Sequence, residues 1–408
     1  MIRTRSALHA LALGALAACG GGSAGEADLA IMNVAVVDVA AGRILTDRTV
    51  QVHDGRIVRI DSALAEYPEA RQVIDGAGRY LLPGLWDTHV HAGDDESTYR
   101  QLIAWGITSV RDMGSPLDEM QAVRRRRDDQ PSSGPRVVYA GFVLRGPQGT
   151  ADTGAGVVRD SASAVAAIAA LDAGGVSLLK VHEGFDRATW FAIALEARER
   201  SLPLAGHVPA GLSAVELAES GLRNIAHFEF LPDRCRAILG PPRRASRPPS
   251  GCDSARIDAL LRRLQDAGVW LEPTLGAFRV FAPGQWTDIR AGFSRLTPSI
   301  RSIGLPIVTG TDLGTSGIVP GVSLHDELEL LAESGFTTAE VLRAATMAPA
   351  RLLGMADSLG QVAPGYLADL VLLEADPFAD IRNSRRVVTI IRAGVPLDSA
   401  MTTALRQP

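Results

Sequence analysis

Two of the eight histidines in this 408-residue chain stand as His89-Val90-His91, at the end of the run Tyr80-Leu81-Leu82-Pro83-Gly84-Leu85-Trp86-Asp87-Thr88. An apolar stretch meets a Pro-Gly turn and continues as a short strand. Strand side chains alternate faces, so His89 and His91 point to one side. Two imidazoles on one face, with a slim Val between, can grip one metal ion. The pair alone fits equally well with polar residues closing a strand. Four further groups change that reading, each at the end of its own apolar stretch: Lys180 in Leu178-Leu179-Lys180-Val181-His182, His207 in Ala205-Gly206-His207-Val208, His227 in Ile225-Ala226-His227-Phe228, and Asp312 in Thr309-Gly310-Thr311-Asp312.

The elements that must position these groups follow a repeated strand, loop and helix pattern between about residues 83 and 351. Strands are predicted at Leu85 to His91, Thr108 to Met113, Arg136 to Phe142, Leu178 to His182, Pro203 to Val208, Asn224 to Phe230, Val269 to Thr274 and Pro306 to Asp312. Helices are predicted at Glu96 to Trp105, Ala162 to Ala173, Arg187 to Glu199, Ala214 to Ser220, Ser254 to Ala267 and Leu324 to Glu333. Eight strands alternating with helices argue for an α/β fold, a (β/α)₈ TIM barrel of parallel strands. An open doubly wound sheet would carry a Gly-rich phosphate fingerprint after its first strand, and none is present. In a barrel, the C-terminal strand ends gather the active site. His89, His91, Lys180, His207, His227 and Asp312 all fall there.

Val- and Ile-rich strands at both ends of the chain, Ala30 to Val39 and Thr49 to Ile60, then Ala368 to Glu374 and Val387 to Ala393, predict a small β-sandwich domain. Residues 29–82 and 352–400 would build it, with the barrel of residues 83–351 inserted between. His53 falls in this satellite and reads as a surface histidine. The net charge of -5 and the lack of a basic, aromatic-interleaved patch exclude nucleic acid as a partner. Arg124 to Arg127 read as the solvated end of a helix.

The strand-end set resembles the amidohydrolase superfamily, and within it the imidazolonepropionase-like and prolidase-like group. Leu82 to His91 carry the similarity, as do Thr108-Ser109-Val110-Arg111-Asp112-Met113-Gly114, Ala344 to Ala350 and Gly360 to Leu370. The resemblance implies two divalent metal ions. His89, His91 and Asp312 would hold the first, and His207 and His227 the second. Lys180 would bridge them as a carbamate, made from CO2 by a neutral amine in apolar surroundings. Two ions about 3.5–4 Å apart would hold a hydroxide that attacks a carbonyl, while Asp312 would carry its proton to the leaving nitrogen. Zinc is the expected metal; manganese, iron or cobalt also fit these ligands.

Three weaker substrate candidates are His182, two residues after Lys180; His325, at the start of the helix after the eighth strand; and Arg111, for which an internal acid is the favoured partner. Asp94, Asp95 and Glu96 read as helix-start residues. Arg145 and the loop Gly146 to Gly156 read as a lid over the pocket.

The N-terminus resembles a bacterial lipoprotein signal. Arg3 and Arg5 precede the apolar run Ala7 to Ala18, and Leu16-Ala17-Ala18-Cys19 offers Cys19 for lipidation. Residues 1–18 would be the signal peptide and 19–28 a flexible tether. The expected location is the cell envelope of a bacterium, exported and lipid-anchored to the membrane through Cys19; a soluble periplasmic protein is the alternative. There Cys235 and Cys252 could close a disulfide around Gly240 to Gly251.

The function expected is hydrolysis of a C–N bond in a small-molecule or short peptide substrate, a dipeptide or N-acyl amino acid. Alternatives are a cyclic amide or lactone hydrolase, and a non-catalytic ligand-binding lipoprotein. A homo-oligomer is compatible with the resemblance.

Overall fold

The computed structural model describes residues 27–62, 69–147, 156–227, 231 and 253–406. Cys19, Cys235 and Cys252 lie outside the described residues. So do positions 148–155 of the expected lid and 228–230 of the expected sixth strand.

The chain enters through five strands: β1 (Ala27–Asp38), β2 (Arg43–His53), β3 (Arg56–Ser62), β4 (Ala70–Asp75) and β5 (Tyr80–Pro83). β1 changes partners partway along. It bends at Asn33, whose φ of 50° is left-handed, a region that Asn tolerates better than most residues. The ladder to β2 slips between Ile31 and Val34. Before the bend β1 pairs in parallel with β4, and after it with β5. The Asn33 side chain donates to Asp75 Oδ1 at 3.0 Å and steadies the exchange.

The barrel wall then forms in two arcs of parallel strands. The first is β6 (Leu85–Val90), β7 (Ile107–Asp112) and β8 (Arg136–Tyr139). The second is β9 (Leu179–Val181), β10 (Leu204–Gly206), β11 (Leu222–Ala226) and β12 (Trp270–Glu272). Backbone hydrogen bonds sew the arcs together. Leu144 N donates to Lys180 O at 2.9 Å on one side. On the other, Leu271 N reaches Pro306 O at 2.9 Å and Thr88 N reaches Thr309 O at 2.9 Å. The eighth wall is therefore not the regular strand expected over Pro306 to Asp312. It is an extended segment bridged at Ile307 and Leu313, and the left-handed φ of 62° at Asp312 falls between the two bridges. β6 and β7 are buried throughout, as parallel strands covered on both faces must be.

Helices Glu96–Ala104, Ser161–Ala173, Arg187–Glu199, Ala214–Ser220, Ser254–Asp266 and Val322–Glu333 pack around the wall. The first five begin at Asp95, Asp160, Asp186, Ser213 and Asp253, whose side chains accept hydrogen bonds from first-turn amides. Of helices Leu117–Asp129 and Trp286–Ile303, the first contains the helix end read at Arg124 to Arg127 and the second was not foreseen. The second buries Ile289, Phe293, Leu296 and Ile300 along one face despite Pro298 within it. Within the first, Arg127 corrects the reading of a solvated basic run. It is 7% exposed, donates to Glu96 Oε2 at 2.8 Å and stacks over the Tyr99 ring.

The chain returns to its first sheet through β13 (Leu370–Leu373), β14 (Val387–Arg392) and β15 (Val395–Pro396). β13 pairs with β5, so both ends of the chain share one eight-stranded sheet around Leu29, Ile31, Val50, Ile57, Leu370 and Ile391. Among the described residues, no helix is long and apolar enough to cross a membrane.

Helix Val322–Glu333 buries Glu327 completely, with Oε2 accepting from Gly276 N at 2.8 Å. Burial pushes its pKa up to about 8. The folded state thus holds this proton more tightly than the unfolded chain, so stability falls as pH rises from about 4.5 through about 8. Glu327→Gln is expected to flatten that decline, measured as the midpoint of urea unfolding across this pH range. An unchanged slope would show that Glu327 is not the source.

Candidate metal centre

The barrel brings the ends of several strands to one place. His89 closes β6, and its Nε2 lies 3.3 Å from Asp312 Oδ1. His91 Nε2 lies 3.4 Å from the same oxygen. These three residues form a group whose ligand atoms lie within 4.8 Å of one another. Lys180, in the middle of β9, is 1% exposed and places Nζ 3.2 Å from His89 Nε2. His227 follows β11, its ring centroid 5.2 Å from that of His89 and 5.0 Å from that of His207. The six residues singled out in the sequence thus form one connected cluster.

Backbone geometry is part of the placement. His227 and Asp312 both adopt left-handed φ, 60° and 62°, a costly region for residues with a Cβ. Asp312 is held there by its amide, which donates to His89 O at 2.8 Å. Gly310 lets the eighth segment pass close by: a Cβ there would sit 2.7 Å from His89 Cβ and 2.8 Å from Glu272 Oε1.

The donor set fits a divalent cation. His91 Nδ1 lies 3.0 Å from Gly114 O, an atom that can only accept, so the lone pair of His91 is on Nε2. His89 Nδ1 lies 3.0 Å from Glu272 Oε2, with the same consequence. Burial, then the charge of Lys180, holds the pKa of His89 and of His207 well below the usual imidazole range, so both rings are neutral. Burial alone would raise Asp312, but the imidazoles around it, His89 first, pull it below the usual carboxylate range. Neutral imidazoles and an ionised carboxylate are what zinc-like ions take as ligands.

Each weaker candidate has a definite place. His182 is exposed and lies against His207, ring centroids 4.0 Å apart, at the edge of the cluster. Arg111 is wholly buried and donates to Thr88 O, Asn224 Oδ1 and Glu272 Oε1 at 2.7, 2.7 and 2.8 Å, so its partner is an internal acid and not a substrate. His325 is not brought to the cluster. It is wholly buried, with Nδ1 2.8 Å from Ser384 Oγ and Nε2 3.0 Å from Trp105 O. Its helix turns that face toward the outer packing, and burial takes its pKa down to about 4. Asp95 caps helix Glu96–Ala104, in keeping with a helix-start role.

Sequence reasoning missed Glu272 and Asp112. Glu272 is a wholly buried acid at the end of β12. Asp112 accepts from Ala92 N, Gly114 N and Ser115 Oγ, and so fixes the loop whose carbonyl meets His91. The available signal was an acid at the end of an otherwise apolar strand. A cleft of about 640 Å³ opens beside this loop, lined by Leu117, Gln121, Phe142, Val143 and Arg145 among others.

A closed barrel thus carries histidines, a lysine and a carboxylate together at its strand ends. Residues 80–397 match the amidohydrolase family model, and the chain belongs to that family. It is 25% identical over 360 residues to adenine deaminase of Moorella thermoacetica, covering 85% of this chain but 54% of that enzyme. It is 25% identical over 368 residues to imidazolonepropionase of Stenotrophomonas maltophilia, covering 83% and 88% of the two chains. The fold matches a solved structure of a Xaa-Pro dipeptidase with methionine in its active site, at a TM-score of 0.75 and 19% identity over 91% and 99% of the chains. The chain thus spans about half the length of the adenine deaminase it matches.

Two substitutions separate centre from scaffold. His91→Ala is expected to lower bound divalent metal per chain, read by elemental analysis of natively purified protein. His325→Ala is expected to keep the metal but lose about 1–3 kcal/mol of stability, since two buried partners lose their hydrogen bonds. Loss of metal in His325→Ala with intact His91 would contradict this assignment.

Proposed function

We propose that this chain is a divalent-metal hydrolase that cleaves the amide bond of a dipeptide or small N-acyl amino acid. The convergence of His89, His91 and Asp312, with Lys180 3.2 Å from His89 Nε2, is the observation that supports it. His89, His91 and Asp312 would hold one ion; His207, His227 and Lys180 would hold a second, with zinc the expected metal. Lys180 would serve after its ammonium gives up one proton and the neutral amine adds to CO2 and releases a second, which together turn a cation into an anionic ligand. Bound there, such ions polarise a carbonyl and lower the pKa of water.

The chain's own part is proton handling and placement. Asp312 accepts a proton at a side-chain oxygen as water adds to the amide carbon, and returns it to the nitrogen as the C–N bond breaks. The imidazoles of His89 and His91 flank that carboxylate with Nε2 3.3 and 3.4 Å from Oδ1, so that the three would share one ion.

The fold match to a Xaa-Pro dipeptidase favours the peptide substrate. Purified protein is expected to turn over members of a dipeptide library that includes Xaa-Pro, with activity lost on chelation and restored by zinc. No turnover of any dipeptide would remove this substrate class. The imidazolonepropionase match favours a second reading, opening of a cyclic amide. Higher kcat/KM on lactams than on linear amides would select it.

The Leu16-to-Cys19 motif further supports a lipid-anchored protein of the cell envelope. Cys19→Ser is expected to abolish incorporation of labelled fatty acid in cells. Labelling that survives the change would sink the anchor.

A further inference from the structure

Glu272 occupies a position that the reaction described above does not use. It is wholly buried at the end of β12 and touches two of the proposed ligand residues at once. Its Oε2 meets His89 Nδ1 at 3.0 Å, and its main-chain carbonyl accepts from His227 N at 2.8 Å. The other carboxylate oxygen is taken by two donors, Thr88 Oγ1 and Arg111 Nη2. Arg111 is itself fixed by Thr88 O and Asn224 Oδ1, and Asn224 Nδ2 donates to Trp270 O at 3.1 Å. Residues of β6, β7, β11 and β12 therefore converge on one carboxylate, and its free direction is toward His89.

We propose that Glu272 is a positioning residue for the metal centre, locking His89 in the tautomer that presents Nε2 to the ion and setting the backbone of His227 beside it. The proposal rests on the metal centre argued under the proposed function. The chemistry requires a carboxylate. Both oxygens must accept, one from Arg111, the other from His89 Nδ1–H. A glutamine has a single acceptor oxygen, and its amide would turn N–H groups toward either the guanidinium or the imidazole. A carboxylate behind a ligating histidine also raises the basicity of the ligand nitrogen, and removing such a partner typically weakens metal binding about 10–100-fold. His91 has only a neutral carbonyl, Gly114 O, in the equivalent place. His89 thus differs from His91 in having a carboxylate behind its ring.

A plain scaffold role, a buried Arg–Glu pair holding strands together, makes different predictions. In Glu272→Gln, zinc affinity measured by chelator competition is expected to fall about 10–100-fold. The visible spectrum of the cobalt-loaded protein is expected to change, a change that the lower unfolding midpoint expected once Arg111 loses its buried counter-charge would not by itself produce. Glu272→Asp, too short to reach His89 from the same backbone, is expected to show the same loss. A second measurement needs no change at Glu272. In metal-free protein labelled with ¹⁵N-histidine, the His89 signal, assigned by its loss in His89→Asn, is expected to report the Nδ1–H tautomer. Wild-type zinc affinity in Glu272→Gln, or an Nε2–H tautomer for His89 in wild type, overturns the proposal. Wild-type protein that binds no divalent ion would instead sink the metal-centre reading itself.

Discussion

Everything at the catalytic end of this barrel depends on one closure. The amide of Asp312 must reach the carbonyl of His89, residues more than two hundred positions apart. That contact, with Thr88 N to Thr309 O and His91 N to Leu313 O beside it, completes the wall and brings the third donor to the two histidines. Loop-closure entropy rises only slowly with length, so such separation is affordable once the intervening arcs are packed. The demand is geometric. The eighth segment has little ladder of its own, and its direction is set by Gly310, by the left-handed turn at Asp312 and by hydrogen bonds to β6. A regular strand there would continue past the cluster; the broken one turns its carboxylate inward.

The buried charges follow from that closure. Arg111 and Glu272, each almost free of solvent, neutralise one another beneath the imidazoles, and Asn224 and Thr88 complete their hydrogen bonding. An ion pair so enclosed adds little net stability compared with well-packed apolar side chains. Its presence is better explained by direction: it orients a ring. Asp87 sits in the same layer, accepts from Thr311 N and Thr311 Oγ1, and is pushed up to about 7 by burial. The floor of the site is therefore a set of acids held by their neighbours at fixed angles.

The fold class was legible because the parallel strands are short apolar runs with chemistry at their ends, and periodicity exposes such runs. The eighth wall was placed correctly along the chain but assigned too much order, since apolar content does not reveal that a ladder is interrupted. Helix Trp286–Ile303 was hidden by its Arg, Ser and Thr content and by Pro298; tertiary burial of one face overrides that weak propensity. His325 was drawn toward the site by proximity in sequence, but which way a helix face turns depends on Trp105 and Ser384, distant in the chain. Glu272 escaped notice for the opposite reason. A single acid beside Trp270-Leu271 has no partner in sequence, and its meaning comes from Arg111 and His89 across the barrel.

The pairing of β5 with both β1 and β13 has a consequence for how the molecule is made. During synthesis from the N-terminus, β1 to β5 emerge long before β13 exists. Until then β5 offers a bare edge of unpaired amides and carbonyls, a template for joining other nascent chains. β13, which follows the barrel in the chain, covers it. Completion of this sheet thus waits on β13, and a product truncated before it would keep an adhesive margin.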